Sequence, residues 1–152
     1  MLTATELLLS GYFGLFLSAF LAATLIPLSS EAVLAALSAA DGSDVVLLFA
    51  VATLGNTLGA AVNWALGRFC LRWRERKWFP FSAAQLERAG ARFRRYGLWS
   101  LLFAWMPLVG DPLTFAAGVL QVRFLPFLIL VGTGKGARYA AVLAVAQGVF
   151  GA

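Results

Sequence analysis

Polar positions are rare along this chain, and where they fall divides it into segments. From Tyr12 to Ala40 the sequence is apolar except for the break "PLSSE" at residues 27–31, with about 15 residues before the break and about nine after it. Both arms are short for complete spans of ~20 residues each. Pro27 removes a backbone donor and discourages helix at Ile26. The pattern therefore predicts a helix–break–helix that enters and leaves on one side, over residues 7–44, with the "AADGSD" turn at the surface. A single kinked span is the competing reading. An unbroken apolar segment, residues 45–67, follows and predicts a transmembrane helix.

The second half repeats this order. Residues 98–122 are apolar and break at "PLVGD", and residues 123–151 form a second long apolar segment. Pro27-Leu28-x-x-Glu31 matches Pro107-Leu108-x-x-Asp111 at a separation of 80 positions. Each long segment carries glycines at i,i+4, Gly55/Gly59 and Gly132/Gly136, a spacing that lets helices approach within the chain or between copies. If each hairpin is re-entrant, only the segment after it crosses the membrane. The hairpins then enter from opposite sides. The expected fold is an all-α membrane protein of two inverted repeats, each a re-entrant helical hairpin plus a transmembrane helix, joined by a cytoplasmic amphipathic helix.

Composition agrees with this pattern. The 152 residues are 61% hydrophobic and 12% charged, with a mean hydropathy of +0.85; a soluble domain carries roughly twice that share of charge. There is no histidine and a single cysteine, Cys70, so histidine acid–base chemistry, Cys/His zinc sites and an intrachain disulfide are excluded. No nucleotide-binding glycine motif or catalytic triad is present, and neither a cofactor nor a metal is expected. A membrane enzyme acting on lipid phosphates would need a histidine nucleophile or clustered acids, and the sequence offers neither. The N-terminus lacks a basic n-region and reads as the start of the mature chain.

Charge is placed unevenly. The first 67 residues hold four acids and no base, whereas Arg68 to Arg95 holds nine bases against Glu75 and Glu87. Between membrane segments such a cluster follows the positive-inside rule rather than marking a nucleic-acid site, and it puts residues 68–97 in the cytoplasm. Ser82 and Gln85 form a capping box, Phe81 and Leu86 a hydrophobic staple, and Gly97 is placed to end the helix. Leu86, Ala89, Phe93 and Tyr96 share one face; Arg88, Arg92 and Arg95 share another. Such a helix suits an anionic inner leaflet or a solvated connection. Arg68 reads as an inner-boundary anchor, and Trp73, Trp78 and Trp99 as an aromatic belt.

The remaining charges sit at membrane depth, where each costs at least ~2.5–3.5 kcal/mol at a helix centre. Glu31 and Asp111 lie beside the two breaks, and Lys135 and Arg138 share a face of the last segment. A carboxylate in a low-dielectric setting can take up a proton, as a proton-coupled carrier requires. The two bases can hold an anion. Asn56 and Asn63 extend a polar stripe with Gly55 and Gly59. Pro27, Ser29 and Ser30 at one tip, and Pro107 and Gly110 at the other, complete the candidate site. The alternative is a buried charge network that only locks the hairpins to the last helix.

The stretches "AATLIPLSSEAVLAAL", "GNTLGAAVNWALGRF", "RFRRYGLWSLLFAWMPLVGD" and "GKGARYAAV" together resemble the DedA (VTT-domain) family of membrane proteins, and within it the YqaA-like branch. The resemblance implies two inverted re-entrant hairpins, a bacterial inner-membrane location and the movement of lipids, with polyprenyl phosphates and phospholipids as substrate classes, and a part in maintaining the proton-motive force. Glu31 matches the acidic position of the family's first hairpin and Gly67-Arg68 its Gly-Arg. Phe93, Tyr96 and Gly97 match the entry to the second hairpin, and Pro107 its tip. The arginines that flank this proline elsewhere in the family are replaced here by Ala104 or Trp105 and by Gly110.

Overall fold

The computed structural model describes residues 4–23, 30–40, 42–69 and 82–150. These form six α-helices and one 3-10 helix, and no strand occurs among them. Helix α1 is Ala4–Ala22, α2 is Ser30–Ser38 and α3 is Val45–Phe69. Helix α4, Ala83–Tyr96, leads into the 3-10 helix Gly97–Trp105, followed by α5, Gly110–Val119, and α6, Phe124–Phe150. The tip residues Pro27 and Ser29, the staple residue Phe81 and the belt residues Trp73 and Trp78 lie outside the described residues.

Two helices are long and apolar enough to cross a membrane, α3 and α6. At ~1.5 Å per residue, the 25 residues of α3 extend about 37 Å, more than the ~30 Å hydrocarbon core. Asp44 starts α3 by accepting from the backbone N–H groups of Val46 and Leu47 at 2.9 and 3.1 Å. Helix α1 is longer than its apolar run, because it takes in Ala4–Gly11 and reaches 19 residues. Helices α2 and α5, of nine and ten residues, extend only about 15 Å each at the α-helical rise.

Helix α4 carries both halves of its capping box, Ser82 and Gln85, and ends where Gly97 turns to φ 61 and donates to Phe93 O. Ala89 is buried and Phe93 packs on the core, while Arg88, Arg92 and Arg95 are exposed. Tyr96, on the same face by spacing, is exposed, with the Arg95 guanidinium 5.3 Å above its ring. The second hairpin breaks at residues 106–109, as its proline suggests, and Leu108 takes φ 65 there.

The helices pack in a crossed pattern. Helix α1 lies on α3 and the 3-10 helix lies on α6. The short helices cross over, α5 onto α3 and α2 onto α6, and α3 meets α6 between them. Two apolar cores result. One gathers Leu15, Ala19, Leu34, Leu48, Ala52 and Leu143, and the other Ala60, Leu101, Leu113, Phe127 and Val131.

Small residues set the closest crossings. A Cβ on Gly67 would lie 2.1 Å from Phe115 O, and one on Gly118 would lie 1.9 Å from Trp64 O. The α3–α5 crossing is therefore backbone against backbone. Gly55 and Gly59 are pressed onto α1 in the same way. Gly132 and Gly136 instead face Thr57, Thr53 and Phe49 at ordinary contact distance; Gly134, between them, meets the 3-10 helix at Leu102 O.

Candidate functional site

A polar layer separates the two apolar cores. Asn56 is the twelfth residue of α3 and Lys135 the twelfth of α6, so the layer sits near the middle of both long helices. Lys135 is buried and its ammonium donates to Asn56 Oδ1. The Asn56 amide donates to the Tyr139 hydroxyl at 2.8 Å, and that hydroxyl shares a 2.8 Å hydrogen bond with Ser30 Oγ. One chain of polar groups thus ties α3, α6 and the first turn of α2. Each of its links is made inside protein, as burial of polar groups demands.

Glu31, the next residue on α2, forms an ion pair with Arg138, the neighbour of Tyr139 on α6. Consecutive residues of α2 are therefore clasped by consecutive residues of α6. Their surroundings differ. Ser30 and Tyr139 are buried, whereas each side chain of the ion pair is 31% exposed. A second guanidinium nitrogen of Arg138 donates to Trp105 O at 2.7 Å, at the end of the 3-10 helix. Arg138 thus bridges the first turn of α2 and the end of the 3-10 helix.

Asp111 occupies the second position of α5, as Glu31 does on α2. It is partly buried and feels the charges of both Lys135 and Arg138, with no direct ion pair to either among the described residues. Gly110 is buried against Ala104 O, and Pro107 is exposed in the turn. Asn63 donates to Ala23 O at 2.8 Å and faces the end of α1 instead of the charged cluster. Arg68 is exposed with its guanidinium 5.2 Å above the Trp64 ring. Arg68, Arg88, Arg92 and Arg95 are all exposed, and none belongs to the buried polar layer.

Beside the ion pair a groove of about 720 Å³ opens between α2 and α6. Ala32 and Ala35 of α2, Ala137, Ala141 and Val145 of α6, and Trp105 line it with the Glu31–Arg138 pair. The walls are apolar except at the pair. Lys135 lies outside it, in the buried layer. No group of three or more metal-ligating side chains occurs among the described residues.

Tyr139 is the participant that the sequence reading passed over, and Trp105 entered it only as a position where the family has arginine. A tyrosine in an apolar helix resembles a core aromatic, yet its i,i+4 spacing from Lys135 puts both on one face. A buried phenol also needs a polar partner. Those two facts together were the available signal. Trp105 takes part through its backbone carbonyl, which no side-chain pattern reveals.

Comparison with known proteins identifies the family. Residues 26–147 match the VTT domain. The chain is 40% identical over 132 residues to the inner membrane protein YqaA of Escherichia coli K12, covering 87% of this chain and 88% of that one. The YqaA protein of Shigella flexneri matches equally, and an uncharacterized protein of Haemophilus influenzae is 34% identical over 136 residues, covering 85% of this chain and 83% of that one. No solved structure matches the chain significantly. The two YqaA proteins are named as inner membrane proteins and not as enzymes. With its membrane-length helices, its polar layer and a match over most of its length, the chain belongs to the VTT-domain family of membrane proteins.

Proposed function

We propose that this protein moves an anionic lipid, such as a polyprenyl phosphate or a phospholipid, or a related amphipathic solute, across the bacterial inner membrane in a proton-linked step. The observation that carries the reading is the Glu31–Arg138 ion pair, midway along α6 on the lip of an apolar groove. A guanidinium binds carboxylate and phosphate with the same forked geometry. Glu31 therefore occupies the place on Arg138 that a lipid phosphate would take. Protonation of Glu31 removes its charge and frees Arg138 for the phosphate. Loss of the proton restores the pair and expels the head group. Carboxylate and phosphate alternate on one cation, which links proton and lipid without any covalent chemistry.

The other charges fit supporting roles in this scheme. Asp111, at the matching position of the second hairpin, is a second proton-accepting group. Lys135 adds positive potential from behind the groove wall, held by Asn56.

Two inverted repeats, with both hairpins re-entrant and residues 68–97 in the cytoplasm, are the topology that goes with this mechanism. The crossed packing of α2 on α6 and α5 on α3 supports it, as do the lengths of α2 and α5, each about half a membrane. Rocking of one hairpin against the other would then alternate access to Arg138.

A second reading is favoured by the buried chain Lys135–Asn56–Tyr139–Ser30, whose links are all made. In that reading the protein organises membrane and its charges serve assembly, including contacts between copies. Reconstituted vesicles separate the two. Wild type should move a fluorescent phosphate-headed lipid with a pH-dependent rate, Arg138→Gln should not, and Glu31→Gln should lose the pH dependence. Translocation by Glu31→Gln with the wild-type pH profile would rule out the proton role. Absence of translocation in every variant, with reduced detergent stability in the mutants, would favour the organising role.

A further inference from the structure

The two halves of the fold are not equally closed. Pairing α3 with α6 residue for residue from their first positions sets Asn56 against Lys135, Gly59 against Arg138 and Gly67 against Ala146. Pairing α5 with α2 in the same way sets Asp111 against Glu31 and Phe115 against Ala35. In one half, Gly67 and Phe115 meet backbone to backbone. In the other half the corresponding residues, Ala146 and Ala35, both line the groove. The open space therefore stands where the opposite half has a sealed helix crossing. Arg138 sits in that opening with Glu31.

Most of the groove wall is apolar, and the Glu31–Arg138 pair is its polar end. Within a bilayer the material that fills the groove is hydrocarbon. Moving a chain from the bilayer into an apolar groove gains little by itself, since both surroundings are equally apolar. Selection must then come from a head group that reaches the one polar feature of the walls. That feature is Arg138, once Glu31 has left it.

We propose that the α2–α6 groove is a binding slot for one hydrocarbon chain of an anionic lipid, with Ala35, Ala137, Ala141, Val145 and Ala146 as its walls and Arg138 as the anchor of its phosphate. The inference rests on the reading of Arg138 as the anion partner given above and adds the part of the lipid that the charges do not explain. The alanines are specificity-determining: their small side chains leave the volume that the chain takes.

The test is photolabelling of the whole protein in phosphatidylcholine vesicles. The probe is a phosphatidic acid analogue with a diazirine near the end of one acyl chain; a diacylglycerol analogue with the same chain serves as the headless control. The phosphatidic acid probe should label residues of α2 and the 137–146 stretch of α6, and the headless probe should label them about tenfold less, a difference of ~1.4 kcal/mol in binding. Ala141→Trp fills the slot and should remove groove labelling, whereas Ile129→Trp, on an exposed part of α6 outside the slot, should leave it unchanged. Should Ala141→Trp fail to give a monodisperse protein, Ala141→Leu should still lower labelling in proportion to the volume added. Equal labelling by both probes, or labelling that persists in the filled variants, would overturn the inference. Groove labelling without any lipid translocation would uphold the slot and refute the transport reading. Translocation undiminished in Ala141→Trp would uphold transport and refute the slot.

Discussion

Replacing Tyr139 with phenylalanine removes one oxygen from the middle of the polar layer and leaves the ring in place. The ring is 2% exposed and packs with Leu34 and Leu143, so its burial is unchanged and no cavity forms. Two hydrogen bonds of 2.8 Å are lost, to Ser30 Oγ and from Asn56 Nδ2. Both abandoned partners are themselves buried, and α2 loses its neutral tie to α6. In water-soluble proteins each orphaned partner costs ~1–3 kcal/mol. Side-chain hydrogen bonds between membrane helices are worth less, ~0.6 kcal/mol on average and ~1.7 at most, because the separated helices find other partners in the membrane. Two such bonds set the expected loss for Tyr139→Phe at ~1–3 kcal/mol. Denaturant titration in mixed micelles measures it, and a double-mutant cycle with Ser30→Ala isolates the α2–α6 link. The coupling in that cycle should be ~0.6–1.7 kcal/mol. A variant within ~0.3 kcal/mol of wild type, with no coupling, would refute the claim that this layer holds the hairpin to the helix.

Other perturbations have distinct expected outcomes. Gly67→Leu or Gly118→Leu should prevent the α3–α5 crossing and give little folded protein by size-exclusion chromatography, whereas Gly14→Ala, with open space around it, should behave as wild type. Lys135→Met should keep lipid translocation well above the level of Arg138→Gln, because Lys135 lies in the buried layer outside the groove; equal loss in vesicle assays would show that Lys135 contacts the lipid. Ser82→Ala removes the cap of α4 and should destabilise that helix by ~0.5–2 kcal/mol, read as faster amide exchange at its first turn with α3 and α6 unaffected.

Local features were the legible ones. The two long spans follow from unbroken apolar length, the start and end of α4 from Ser82, Gln85 and Gly97, and the second break from Pro107. Each of these depends on residues close in sequence. The partners of the charges depended on crossing geometry instead. Arg138 and Lys135 share a face by spacing, yet one reaches Glu31 at the groove and the other Asn56 in the buried layer. Nothing in a four-residue window separates those fates. The tight glycine of α6 is Gly134 and not the Gly132/Gly136 pair, because the 3-10 helix approaches α6 at Leu102. The 3-10 winding itself, nine residues long where runs beyond three or four are uncommon, has no signature in its apolar sequence. The resemblance to a family carried the expected lipid role, and the contact of Arg138 with Trp105 O, made through a backbone carbonyl, had no signal in the sequence.

The central claim is that Glu31 and a lipid phosphate exchange on Arg138, and infrared difference spectroscopy tests it most directly. An ether-linked phosphatidic acid, which has no carbonyl of its own, added to the detergent-solubilised protein should produce the carbonyl band of a newly protonated carboxylic acid. That band should be missing in Glu31→Gln and present in Asp111→Asn. Binding of the lipid with no protonated carboxyl band, or with a band that survives in Glu31→Gln, would contradict the exchange.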